Sequence, residues 1–387
     1  MSIRKKILVA CLADPSGNPR PGRVISLCKN MGHNVDVASF ALRNNMDIDA
    51  HYAFHFPSQK IVSRVCWKII RMWSALLPFE AISEFLNDRR WGFAGVKDAL
   101  LQNKYDAIVV HDAWLLPFVF KIKGNAKVVF DAREYYPGEM EGNLLWRIID
   151  RPEKVRVCRK YMPLCDRIMT VSPGIVKRYK DDLGVTSNLV RSTPQFYDAS
   201  PRDVQNNIVR MVHHGGANRD RKLENMIDMF SMLDDRFTLD FYLTGSPLYK
   251  KELQKRAAGQ DRIRFLDPVP FNQILPMLQN YDIGLYLLEP TGFNTEYSLP
   301  NKFFEFIQAR LMLAIGPSPD MASLLGEYDC GIVADDFNPK TMAWALNALT
   351  PEVIMQKKMA SDRAARDLCF EEESKKIVSI LNEIGIN

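Results

Sequence analysis

The sequence contains no long apolar run. Nowhere do about 18 residues pass without a charge, so no segment is expected to cross a membrane as a helix. Cysteine is scarce: seven in 387 residues, scattered and never spaced C-x-x-C, which excludes a disulfide framework and a structural zinc site and fits a reducing compartment. No repeat of fixed period and no low-complexity tract occurs, which excludes solenoids and disordered tails. The G-x-G-x-x-G fingerprint of dinucleotide enzymes is also missing. The loop after the first apolar run, ADPSGNPRPGR, offers only Gly17 and Gly22, five apart with prolines between them, so a dehydrogenase is disfavoured.

What is present reads as α/β. Short apolar runs alternate with helical patterns: KILVACLA, a helix from Arg23 to Met31, then HNVDVASF, YDAIVVHD, AKVVFDA and DRIMTVS. The opening MSIRKKILVACLA has the basic start of a signal peptide, yet its apolar run is of strand length and leads into a Gly/Pro loop, so it reads as the first buried strand. A polar stretch with two prolines, 192–207, reads as a linker, after which IVRMVHHGG, FTLDFYLTG, IRFLDPV, YDIGLYLL and LMLAIGP form a second series. The expected architecture is two doubly wound Rossmann-like domains facing a cleft: residues 1–195, residues 205–370, and a final helix 371–387 packing back towards the first. Their charges differ. Residues 1–195 carry a net +11 and the remainder −6, so an anionic partner, a membrane surface or a phosphate-bearing substrate, is expected for the first half.

Two stretches of the second half carry chemistry. In SLPNKFFEF, Pro300 and Ser298 mark a helix start, and Lys302 in the first turn adds a cation where the helix N-terminus already favours anions. Glu305 shares a face with Asn301 and Lys302 and can accept two hydrogen bonds from a vicinal diol such as ribose; the plainer reading is a glutamate pairing with Lys302. In HHGGANRDRKLENMIDMF, Gly215 and Gly216 permit backbone approach to a phosphate, and Arg219, Arg221 and Lys222 lead into a helix from Leu223 to Phe230. The plainer reading here is a glycine turn with a solvated basic edge. Of His213 and His214, one is expected in the core and the other facing the cleft, because neighbours on a strand point to opposite faces.

YSLPNKFFEFIQARLMLAIGPSPDM, the preceding RIRFLDPVPFNQILPMLQNYDIGLYLL and the N-terminal NPRPGRVISLCKNMGHNVDV together resemble the GT-B-fold glycosyltransferases, in particular family four of the retaining sugar-nucleotide enzymes. The resemblance covers most of the chain in the expected order. It implies a nucleotide diphosphate-sugar as donor substrate with no separate cofactor, Gly215 and Gly216 near the sugar-diphosphate, Arg221 and Lys302 on the phosphates, and Glu305 on the ribose. It implies no metal, and no D-x-D cluster stands at a strand end. Two positions depart from the family pattern: Tyr297, with Glu296 beside it, stands where a second glutamate usually contacts the donor sugar, and Arg133 stands where a histidine often follows an aspartate.

In the first half, His111 and Asp112 end a strand, with Asp112 a candidate base towards an acceptor hydroxyl; a helix cap beside a packed ring is the equally simple reading. Arg133 and Glu134 open the loop DAREYYPGEMEG, suited to acceptor or sugar contacts, and Gly17 lies in the first loop. The segment 59–79 places Lys60, Arg64, Lys68 and Arg71 on one helical stripe beside Ile61, Val65, Ile69, Met72 and Leu76, the pattern of a helix lying on an anionic membrane. The reading is a transferase on the inner face of the cytoplasmic membrane acting on a glycan or lipid-linked acceptor. Its rivals are a sugar-nucleotide epimerase and a non-catalytic partner of a glycan assembly complex. Nucleic-acid binding is disfavoured, because no aromatic platform accompanies the basic stripe.

Overall fold

The computed structural model describes residues 4–56, 80–205 and 208–387. The basic stripe expected in 59–79 lies outside the described residues. The chain forms two compact units: Met1–Val190 with Gly292–Asn294 and Ser374–Asn387, and Arg191–Thr291 with Thr295–Glu373.

The first unit holds a seven-stranded sheet in the order β3-β2-β1-β4-β5-β6-β7, every described pairing parallel. Its strands are β1 (Lys6–Ala10), β2 (Asn34–Ser39), β3 (Ala50–Ala53), β4 (Ala107–Val110), β5 (Lys127–Ala132), β6 (Arg167–Thr170) and β7 (Asn188–Leu189). The central strands are near-continuous runs of Ile, Val, Leu and Ala because helices cover both faces of a parallel sheet: Leu8, Ile108, Val110, Val128 and Phe130 join one core. Helix α1 (Pro19–Asn30) starts earlier than the expected Arg23. Asn18 is extended and Pro19 supplies the first turn, where its missing N–H costs nothing. Further helices of this unit are α2 (Glu80–Trp91), α3 (Leu144–Ile149) and α4 (Arg151–Tyr161).

The second unit repeats the plan with six parallel strands in the order β10-β9-β8-β11-β12-β13. They are β8 (Val209–Ala217), β9 (Phe237–Gly245), β10 (Ile263–Leu266), β11 (Ile283–Tyr286), β12 (Met312–Ile315) and β13 (Gly331–Val333). Helix α5 (Asn301–Gln308) buries Phe303, Phe304, Phe306 and Ile307 in the same core as Met211, Leu285 and Leu313. In both sheets the chain crosses from the third strand to the fourth, which pairs beside the first; this leaves a switch point between the first and fourth strands, and ligands of such sheets gather beyond the carboxyl ends of the strands flanking it. The last helix, α6 (Phe370–Glu383), begins in the second unit and from Ser374 onward belongs to the first.

At the opposite end of the second sheet, Lys358 Nζ lies 2.8 Å from Asp282 Oδ1, both side chains almost wholly buried, while Asp282 Oδ2 accepts the Arg210 N–H at 3.0 Å. Removing one partner of a buried pair strands the other charge. Lys358→Met is expected to cost about 3–5 kcal/mol in chemical denaturation, and a cost within error of zero would contradict this account.

Candidate functional site

In the second unit β8 runs through Gly215 and Gly216 to Ala217, so the glycines end a strand instead of forming a strand-to-helix turn. A short turn, Arg219–Arg221, and a left-handed Lys222 (φ 46°) then precede a seven-residue helix, Glu224–Phe230. The expected helix N-terminus is therefore absent from the glycines, because Asn218 caps the short turn by accepting the Asp220 N–H. Of the three cations expected there, Arg219 pairs with Glu252 and Lys222 with Glu289, both on exposed surface. Arg221 alone lies within electrostatic reach of Lys302, His213 and Tyr286.

Lys302 meets this strand from α5. Pro300 is the N-cap of α5, not its first helical residue, and no side chain caps the helix; Ser298 Oγ donates instead to the Thr295 carbonyl. Asn301 is exposed at the first position. One residue on, Lys302 is buried, and its Nζ lies so close over Gly215 that a Cβ built there would stand 2.6 Å from it. Gly215 also has φ +124°, a conformation that side chains rarely adopt, and it is this backbone angle that selects glycine. Burial and the Arg221 guanidinium push Lys302 down to about 7, and Glu305 opposes them.

Both histidines of the pair are buried against α5. His213 Nδ1 donates to the Leu285 carbonyl at 2.8 Å, leaving Nε2 as the acceptor 3.5 Å from Lys302 Nζ. Burial, then the Lys302 charge, hold His213 well below the usual imidazole range and push His214 to about 3. His214 Nε2 stands 3.3 Å from Glu305 Oε2; since the ring is neutral, this is not an ion pair. Gly215, Arg221, Lys302 and Glu305 thus share one neighbourhood at the carboxyl edge of the sheet. Tyr297 is half-buried on the stretch leading into α5.

The first unit gathers a second polar cluster beyond β4 and β5. Asp131 is buried and takes a bidentate contact from Arg20, 2.6 Å on each side, while His111 Nδ1 lies 2.8 Å from its Oδ2. Despite burial, Arg20 and His111 hold the Asp131 carboxyl far below the usual range, and burial keeps His111 neutral. Asp112 Oδ1 accepts the Trp114 N–H at 3.0 Å, the cap reading of the sequence. Burial raises Asp112, with Lys154 and Arg133 opposing, and raises Glu134 in the same way. The Arg133 Nε is buried without a hydrogen-bond partner. Gly17 is exposed in a turn whose N–H donates to the Asp14 carbonyl at 3.2 Å, a placement that brings no side chain to the cluster.

Sequence reasoning missed Arg20 and Lys154. Lys154 is buried on α4, its Nζ on the Glu139 carboxylate and over the Trp114 and Tyr136 rings. In RPEKVRVCRKY one lysine among five cations carries no mark of burial, whereas Arg20, between two prolines after the first strand, stood at a readable place. Among the described residues no group of three His, Cys, Asp or Glu side chains could hold a metal ion.

No family model and no curated protein matches the chain by sequence. Solved structures do match by fold. A glycosyltransferase from Rickettsia africae is similar at TM-score 0.70 and 12% identity, over 98% of each chain. Sucrose-phosphate synthase from Thermosynechococcus elongatus is similar at TM-score 0.74 and 10% identity, over 98% of this chain and 99% of that one. Anabaena HepE, solved in complex with UDP and glucose, is similar at TM-score 0.69 and 13% identity, over 98% of this chain and all of that one. The fold is the GT-B fold of these glycosyltransferases.

The buried lysine has a stability signature. Its proton is held less tightly in the folded chain, whose pKa is about 7, than in the unfolded chain, so its charge destabilises the fold fully below about pH 7 and the penalty vanishes near the ordinary lysine value. Lys302→Met is expected to stabilise the protein at pH 6 by on the order of 3 kcal/mol, a gain that shrinks as pH rises towards about 10. A gain independent of pH would refute the assignment.

Proposed function

We propose that the protein is a glycosyltransferase that moves a sugar from a nucleotide diphosphate-sugar to an acceptor hydroxyl. One observation carries the reading: Lys302 and Arg221 converge beside the side-chain-free Gly215, with Glu305 one turn deeper on α5. The two cations are the diphosphate contacts, Gly215 and Gly216 let the backbone approach it, and the Glu305 carboxylate accepts both hydroxyls of the ribose. Asn301 at the uncapped start of α5 and Tyr297 before it complete the donor-facing set. Arg219 and Lys222, engaged by surface carboxylates, drop out of it. The shared fold with enzymes solved with UDP and glucose or with a UDP-fluoroglucose supports the donor class.

The reaction proposed is retaining. The bond from the anomeric carbon to the diphosphate oxygen breaks while the acceptor oxygen bonds on the same face, and the acceptor proton passes to the departing diphosphate. Lys302 and Arg221 stabilise the charge that grows on that leaving group, the role a metal ion plays elsewhere. The acceptor falls to the first unit: Asp112, whose raised pKa keeps it ready to exchange a proton, with Arg133, Glu134, Lys154 and the His111–Asp131–Arg20 chain beneath. A glycan or lipid-linked acceptor, used at the inner face of the cytoplasmic membrane, fits the +11 charge of residues 1–195.

Turnover of a nucleotide-sugar panel tests this. Lys302→Ala and Arg221→Ala are each expected to lower kcat by roughly 10²–10³ with no loss of melting temperature, and near-normal turnover in both would end the proposal. Glu305→Ala should abolish the preference for a ribonucleotide over its 2′-deoxy analogue, because a carboxylate built to bond a hydroxyl rejects its absence. A preference retained in the variant would move the ribose contact elsewhere.

A further inference from the structure

Single exposed leucines are ordinary, but a run of them on one short helix is not. In the stretch Met140–Ile148, Met140 is 52% exposed, Leu144 62%, Leu145 68% and Ile148 48%, while Trp146 between them is 6% exposed. Helix α3 is fixed in this attitude: Asn143 caps it by accepting the Trp146 N–H at 3.1 Å, and Trp146 turns inward as an anchor. Its outward face is therefore apolar by construction.

The charges around it are unbalanced. Arg147 and Arg159 are exposed and make no ion pair among the described residues, and exposed Arg151 donates only to the Pro137 carbonyl. The neighbouring carboxylates are engaged: Asp150 with Arg90 of α2, Glu139 with Lys154, Glu153 with Ser83, and Glu141 with the Phe293 N–H. On α2, Ile82 (50%) and Phe85 (60%) are exposed at positions three apart on one stripe. Apolar side chains flanked by uncompensated cations match a bilayer surface that offers acyl chains beneath anionic headgroups.

We infer that the outward face of α3 is a docking surface for an anionic phospholipid bilayer, into which Leu144, Leu145 and Ile148 insert while Arg147, Arg151 and Arg159 contact headgroups. The inference deepens the lipid-linked acceptor reading, whose purpose it serves, but the binding itself requires neither donor nor acceptor.

Sedimentation of the full chain with vesicles tests it. The protein should pellet with phosphatidylcholine vesicles containing phosphatidylglycerol, and far less with phosphatidylcholine alone or at high salt. The double variant Leu144→Gln/Leu145→Gln should lose at least about tenfold in partitioning with an unchanged thermal melt. Failure of the wild type to bind, or undiminished binding by the variant, overturns the assignment. So does a wild-type dimer in solution that the same variant dissociates, since the face would then serve a second copy of the chain. UDP binding measured on the same samples keeps the tests apart: its absence counts against the transferase reading alone.

Discussion

A lysine ammonium kept out of water beside Gly215 is the constraint on which the second unit depends. An isolated buried cation is costly, and here the nearest groups offset it only in part: His213 presents a neutral ring nitrogen, Arg221 adds repulsion, and Glu305 and the Tyr286 ring 5.6 Å away favour the charge. A fold tolerates such an arrangement when the charge has work to do on something that binds. Every element nearby serves it. Near its end the strand passes through two residues without side chains, α5 begins without a side-chain cap, and four aromatic or aliphatic side chains after Lys302 anchor that helix in the core so that its first turn cannot drift.

The first unit, built on the same strand order, handles buried charge in the opposite way. Asp131 is enclosed by Arg20 and His111 and is satisfied on both oxygens, so its cluster is a rigid support. Above it, the raised carboxyls of Asp112 and Glu134 and the unpaired Nε of Arg133 provide mixed donors and acceptors suited to hydroxyl groups. One unit concentrates positive charge on a point; the other spreads both signs over a surface. That contrast fits a division between a phosphorylated donor and a polyhydroxylated acceptor.

Most of the strand framework was legible in the sequence, since uninterrupted Ile/Val/Leu runs such as AIVV and MLAI have few alternatives to a buried parallel strand. The short edge strands β3, β7 and β13 were not, because two to four half-buried residues leave no periodicity to read. At the site, Lys302 and Glu305 could be grouped from helix phase, and Arg221 joined them through the family resemblance. Arg219 and Lys222 could not be separated from Arg221, because their partners Glu252 and Glu289 lie 33 and 67 residues onward and only tertiary structure brings them near. Lys154 escaped for the same reason: burial of a charge is decided by what closes over it, not by its neighbours in sequence.

The packing of Lys302 on Gly215 has an evolutionary consequence. A β-carbon at 215 would push the ammonium from its place, and even beside a smaller residue at 302 it would sit on a backbone angle that side chains rarely adopt. Position 215 is held to glycine by its backbone angle whatever stands at 302, whereas a change at 302 meets no such bar, so across related chains the glycine should persist where the lysine has been lost.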